Sequence, residues 1–285
     1  MNDIIPLEPK PFLIIEPQPG WQAISITELW QFRDLLTTLA ARDVKLRYRQ
    51  TALGAVWVIL QPLMAAGIFS MVFGRVAKLP SDGVPYFLFA YAGLLGWNVF
   101  NSTLGKASGC LVGNAQLVSK VYFPRLVLPL STVFSSLIDF GVALAMLVVM
   151  LLFSGSHPGW GPGWGLLLLP VWLALLLLLS LGIGLMTSAM MVTYRDVQYV
   201  LPVLTQFLMY ASPVAYALSA VPTNLRTLYH LNPLAILLEG FRWSLLGVGN
   251  LDASALLYAV VVSVGVFIWG AFAFKKMERK FADVI

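Results

Sequence analysis

Residues 126–153 read LVLPLSTVFSSLIDFGVALAMLVVMLLF, a run with a single ionisable side chain, Asp139. About 20 helical residues cross a hydrocarbon core of about 30 Å, so this stretch is long enough to span a bilayer. Its apolar character is continuous rather than alternating. That selects a helix over a barrel strand, because lipid offers no partner to an open backbone group. Five further apolar stretches are also long enough to cross: 53–74, 84–105, 164–191, 197–218 and 253–274. Of the 285 residues, 59% are hydrophobic and 11% charged, less than half the charge of an average soluble domain at about 25%. The sequence therefore predicts an all-α integral membrane protein with six transmembrane helices.

Six spans place both termini on one side. Fourteen of the eighteen Lys and Arg residues fall on that side, before the first span, between spans two and three, between four and five, and at the end. Arg75, Lys78, Arg226 and Arg242 fall on the other. The positive-inside rule predicts cytoplasmic termini, and basic residues flanking spans account for the net charge of +5 without nucleic acid. Residues 1–24 read as an extended, proline-rich leader. Pro6, Pro9, Pro11, Pro17 and Pro19 interrupt any secretory apolar region. Cys110 is alone, so no intrachain disulfide is expected, and His157 and His230 in connections give no metal site.

Between leader and first span, Ser25 and Glu28 form a capping-box pattern that opens a helix over 25–50. Leu29, Phe32, Leu36 and Leu39 share one face, and Arg42, Lys45 and Arg49 form a basic stripe. Such a helix is expected to lie in the cytoplasmic interface rather than to cross. In the polar connection 106–125, Asn114 is expected to cap a short helix from Ala115 to about Tyr122, ended by Phe123-Pro124. Residues 154–163 read as a plain outer turn. The outer connection 219–252 is apolar and broken by Pro222 and Pro233. Asn232-Pro233 predicts a helix start, with the helix running to about Leu246 and carrying Glu239 and Arg242 one turn apart. Too short to cross, these segments are expected to be short re-entrant helices in the outer leaflet.

An aspartate at mid-span costs about 2.5–3.5 kcal/mol to insert, so Asp139 should face protein or a wet cavity. Thr132, Ser135, Ser136 and Asp139 form one polar stripe, suited equally to interhelical hydrogen bonds and to a channel lining. Ser180, Gly184 and Ser188 form a face of small residues for close helix packing. Trp57, Gln61, Tyr86, Tyr91, Asn98, Tyr199, Gln206 and Tyr210 are candidates for a glycan path, since rings stack on sugars and amides bind hydroxyls. Aromatic residues also collect at membrane interfaces, and that role stays open for each. No phosphate-binding G-x-x-x-x-G-K-[ST] motif occurs, so ATP-driven work requires a separate subunit. No zincin motif, nucleophile elbow or paired intramembrane carboxylate points to an enzyme or an ion-coupled carrier.

Several motifs in order carry a family resemblance. They are Glu28-Leu-Trp-Gln-Phe-Arg-Asp34, Arg42-Asp-Val-Lys-Leu-Arg-Tyr-Arg49, Leu53-Gly-Ala-Val-Trp57 leading to Gln61-Pro62-Leu63, Phe73-Gly74, and Gly93-Leu94 with Trp97. Lys120-Val-Tyr-Phe-Pro-Arg125, Leu128-Pro129, Tyr194-Arg-Asp196, Ser212-Pro213 and Asn232-Pro233-Leu234 continue the series. From about Phe12 onward the chain resembles the permease subunits of ABC-2 polysaccharide exporters, which handle O-antigen, capsule or teichoic acid. The leader, with Ile15-Glu-Pro17 and Gly20-Trp21, looks more like the O-antigen branch.

The resemblance implies an ABC-2 transmembrane domain over 51–285 in the bacterial inner membrane. It implies two copies of this chain around a channel and two ATP-binding cassette subunits that carry ATP and Mg. Its cargo would be an isoprenoid-pyrophosphate-linked glycan. ATPase coupling would fall to Arg42, Lys45 and Arg49 of the interface helix and to Asn114, Gln116, Lys120, Tyr122 and Arg125 of a coupling helix. Asn232, Pro233, Glu239 and Arg242 would belong to a periplasmic gate. No cofactor is implied on this chain itself.

Overall fold

A computed structural model of the chain describes residues 26–49, 56–154, 165–249, 251–278 and 281. The leader 1–24, Ser25 of the expected capping box and the outer turn beyond Ser154 lie outside the described residues. Among the described residues the chain is helical and no strand occurs. In order, the helices are α1 (Ile26–Gln31), α2 (Arg33–Arg49), α3 (Val56–Phe69), α4 (Tyr86–Gly113), α5 (Ala115–Lys120) and α6 (Val127–Phe153). They continue with α7 (Leu169–Thr193), α8 (Val197–Tyr210), α9 (Thr223–Leu231), α10 (Pro233–Leu246) and α11 (Ala253–Met277). A π-helical stretch, Ser70–Val76, extends α3 past Pro62, and a short 3₁₀ stretch, Leu166–Leu168, leads into α7.

Four described segments are long and apolar enough to cross a membrane: Val56–Val76, Val127–Phe153, Leu166–Thr193 and Ala253–Met277. They coincide with four of the six predicted spans. The other two differ for separate reasons. Helix α4 has 28 residues, about 42 Å at 1.5 Å per residue, and is long enough, but Asn98, Asn101, Ser102 and Lys106 make it less apolar. It is the central helix, buried continuously from Leu88 to Trp97 and packed on α3, α6, α7 and α10. A helix largely enclosed by protein has little need of a lipid-compatible surface. Helix α8 has 14 residues, about 21 Å, and stops at Tyr210, well short of the predicted boundary at 218.

Two expectations about the 106–125 connection need correction. Lys106 is not in a connection, because α4 runs on to Gly113 and the ammonium is hydrogen-bonded to α6. Asn114 does not cap α5 with its side chain; its Nδ2 instead donates to the Cys110 carbonyl, 2.8 Å away, and closes the end of α4. The predicted 25–50 helix is likewise interrupted at Phe32, although backbone bonds from Phe32 to Glu28 and from Leu36 to Phe32 carry the path through. At the opposite end, Asp252 caps α11 by accepting from the Ser254 amide at 3.2 Å and hydroxyl at 2.6 Å, which holds its carboxyl below the usual range.

Apolar side chains form two clusters. The larger surrounds α4, α6, α7 and α10. The smaller joins Leu39 of α2, Val118 of α5, Leu185 and Ala189 of α7, and Phe274 of α11, with Phe281 beyond it. Leu29, Phe32 and Leu36 rest against this second cluster, so the predicted apolar face of the interface helix is its packing face. The Ser180, Gly184 and Ser188 face also packs closely. A Cβ on Gly184 would stand 2.8 Å from the Ala107 Cβ, and Ser188 Oγ lies 3.7 Å from Cys110 Sγ. On the next face of α7, Gly182 meets Gly270 of α11 so closely that a Cβ on Gly270 would collide with the Gly182 carbonyl. A Gly270→Val substitution is therefore expected to cost about 1–3 kcal/mol through overpacking and to lower the melting temperature in detergent. Melting that matches the parent would show that α7 and α11 do not depend on this contact.

Candidate functional site

A cavity of about 240 Å³ opens between α3, α4 and α6, with Arg47 of α2 at its wall. Neutral hydrogen-bonding side chains line much of it: Gln61 from α3, Asn98, Asn101 and Ser102 from α4, and Ser136 from α6. Asn98 and Asn101 stand three residues apart on one face of α4, and both are exposed. Asp139 reaches the same space from α6. Its Oδ2 meets Arg47 Nη1 at 2.9 Å and Lys106 Nζ at 3.0 Å. Lys106 also donates to Ser135 Oγ at 2.8 Å and to Ser136 Oγ at 3.4 Å. The polar stripe of α6 therefore does two things. Thr132 is buried and satisfied by the Pro129 carbonyl, whereas Ser136 and Asp139 face the cavity.

A second cavity of about 410 Å³ lies between α4 and α8, lined by Trp97, Asn101, Thr205 and Gln206 among others. Asn101 borders both cavities. Sequence reasoning missed Asn101 although its spacing from Asn98 was legible. It also missed Arg47 and Lys106 as partners of Asp139, which only the packing of α2 and α4 on α6 brings together.

The aromatic candidates separate. Trp57, Tyr199 and Tyr210 are exposed. Tyr91 is 0% exposed and donates to the Ala143 carbonyl at 3.1 Å, so it packs within the chain and lines neither cavity. Tyr86 donates to the Ala215 carbonyl and ties α4 to the segment after α8.

Arg242 holds that same segment from α10. It is 1% exposed, lies 4.0 Å over the Phe89 ring and 3.5 Å from Glu239 Oε2, and donates to the carbonyls of Pro213 and Val214. A Cβ on Gly93 would strike the Val214 carbonyl, so glycine lets this segment lie directly on α4. Asn232 accepts from the Leu234 amide at 3.1 Å and donates to Ser212 Oγ at 3.0 Å, fastening the start of α10 to the end of α8. Pro233 takes the first helical position, as expected. Of the four expected gate residues, Asn232 and Arg242 bond to residues 211–214, Glu239 pairs with Arg242, and Pro233 opens α10.

At the opposite end, Arg125 donates to the Glu278 carbonyl, and its amide donates to Glu278 Oε1 at 3.3 Å. Glu278 also pairs with Lys275 at 2.9 Å. Gln116, Lys120 and Tyr122 are exposed around α5, as is Lys45 on α2. Arg42 pairs with Asp43 at 2.8 Å, and the side chain of Arg49 lies outside the described residues.

Residues 34–246 match the family described as ABC-2 type transporter. The chain is similar to the O-antigen export system permease protein RfbA of Myxococcus xanthus, at 32% identity over 91% of this chain and 98% of the relative. An RfbA of Klebsiella pneumoniae is 27% identical over 88% of this chain and 95% of its own length. The polysialic acid transport protein KpsM of Escherichia coli is 28% identical over 70% of this chain and 77% of its own.

Removing one partner of a buried ion pair costs about 3–5 kcal/mol, because the remaining groups are left unpaired. Arg242→Leu strands Glu239 and two carbonyls and should sharply reduce folded protein recovered in detergent. Parent-like yield and melting would deny Arg242 that role.

Proposed function

This chain belongs to the ABC-2 type transporter family, and on that premise we propose that it is the channel-forming permease of an ATP-driven exporter. Its cargo is a lipid-linked polysaccharide of the O-antigen class, moved outward across the bacterial inner membrane. Similarity to O-antigen export permeases along nearly the full length carries this conclusion. The cavity chemistry supports it. Amides and hydroxyls match the hydroxyl-rich surface of a glycan, and the charges of Arg47 and Asp139 on the same wall are paired with each other.

Two copies of the chain, six spans in each, enclose the path, and the cavities on either side of Asn101 contribute to it. Both termini face the cytoplasm, and α9 and α10 are short outer-leaflet helices that close the periplasmic mouth. ATP and Mg bind two cassette subunits, which dock on the exposed Gln116, Lys120 and Tyr122. Closure of those subunits is passed through α5 and α2 to the spans. Similarity to KpsM supports a second reading, in which the same machinery carries a capsular glycan.

Deleting the gene should remove surface polysaccharide while finished lipid-linked polymer accumulates inside, and the intact gene should restore export. A normal surface coat, with no internal polymer and no redundant exporter, would overturn the polysaccharide cargo. In the restored strain, Asn101→Ala should lower export about fivefold at normal protein level, the effect of losing one hydrogen bond worth about 1 kcal/mol. Full export by that variant would remove Asn101 from the path.

A further inference from the structure

Arg47 lies near the end of α2, yet its guanidinium reaches Asp139 near the middle of α6. Lys106 reaches the same carboxylate oxygen from α4. Three helices thus meet at one atom on the cavity wall. The carboxylate is 14% exposed, the Lys106 side chain 25% and the Arg47 side chain 40%, so the bond from α2 reaches from a half-open side chain to a largely shielded acceptor. The other end of α2 is anchored separately. Leu39 is buried, and Leu35 and Leu36 pack on the cluster that also holds Val118 of α5 and Phe123. A helix of 17 residues, about 25 Å, therefore joins the α5 region to the cavity wall.

We propose that Asp139 is a positioning residue for transport: it pins α2 to the cavity wall, so that displacement of α2 at the α5 end moves α4 and α6 at the cavity. This rests on the permease function proposed above and specifies how that function is driven. An α-helix is stiff along its axis, so motion at one end reaches the other provided the far end is fastened. Without the pin, α2 moves on its own apolar contacts and the cavity wall stays behind. A purely structural ion pair would hold the fold without affecting how hydrolysis is converted into movement.

The test uses the complete permease–ATPase complex in lipid. For Asp139→Asn, backbone hydrogen exchange over residues 33–49 should quicken about tenfold, and glycan exported per ATP hydrolysed should fall about tenfold. Asp139→Glu should recover most of both. Unchanged exchange over 33–49, an unchanged export-to-hydrolysis ratio, or a glutamate no better than asparagine would each overturn the proposal. If the asparagine variant fails to accumulate, Arg47→Gln carries the same two measurements, and parent-like coupling there overturns it equally. Should the unmodified complex export no glycan, the transport function itself falls. Exchange over 33–49 in this chain would still decide whether Asp139 holds α2.

Discussion

Arg242 lies beneath Phe89 with its guanidinium spread between Glu239 and the carbonyls of Pro213 and Val214. Helix α8 has just ended there, and the released carbonyls are buried away from water. In a lipid environment every such group must find its partner within the protein. The arginine supplies donors to two of them, Tyr86 reaches the Ala215 carbonyl, and Asn232 ties down Ser212. Gly93 provides the space on α4. Once these bonds are in place, α8 can stop after 14 residues, the chain can turn back through α9, and α10 can be buried against α4 and α7.

The same constraint is met differently at Asp139. There the carboxylate is balanced by two cations from other helices, and the cluster stays open to a cavity. Arg242 is sealed and serves architecture, whereas Asp139 is partly accessible and borders neutral amides. One charged centre organises the segment after α8, and the other joins α2, α4 and α6. The two centres differ in charge and in solvent access, the Arg242 side chain being 1% exposed and that of Asp139 14%.

Between them runs α4, whose composition is a compromise. Its apolar residues enter the larger core, and its Asn98, Asn101 and Ser102 leave one face suited to hydroxyl-bearing cargo. Arg125 joins the segment after α5 to the end of α11 through Glu278, while Gln116, Lys120 and Tyr122 remain exposed around α5. That division gives the segment a fixed base and an exposed surface.

Composition and apolar run length were enough to establish a helical membrane protein, because burial of a long uncharged helix in lipid depends on sequence alone. Motif order identified the family, and periodicity placed the packing face of α2 and the small-residue face of α7. Local chemistry placed the start of α10 at Asn232-Pro233, since a cap needs only its immediate neighbours. Tertiary structure decided the rest. The Asn114 side chain closes α4 instead of capping α5, α8 ends early, Tyr91 is buried, and Lys106 belongs to a helix where a connection was expected. Three of these depend on partners distant in the chain, Ala143 for Tyr91, the residue-135–139 stripe for Lys106 and Arg242 for the segment after α8, whereas Asn114 bonds to Cys110 four residues away. Hydropathy registers how much a segment avoids water. It carries no record of which remote carbonyl or carboxylate will satisfy a polar group once the helices are assembled.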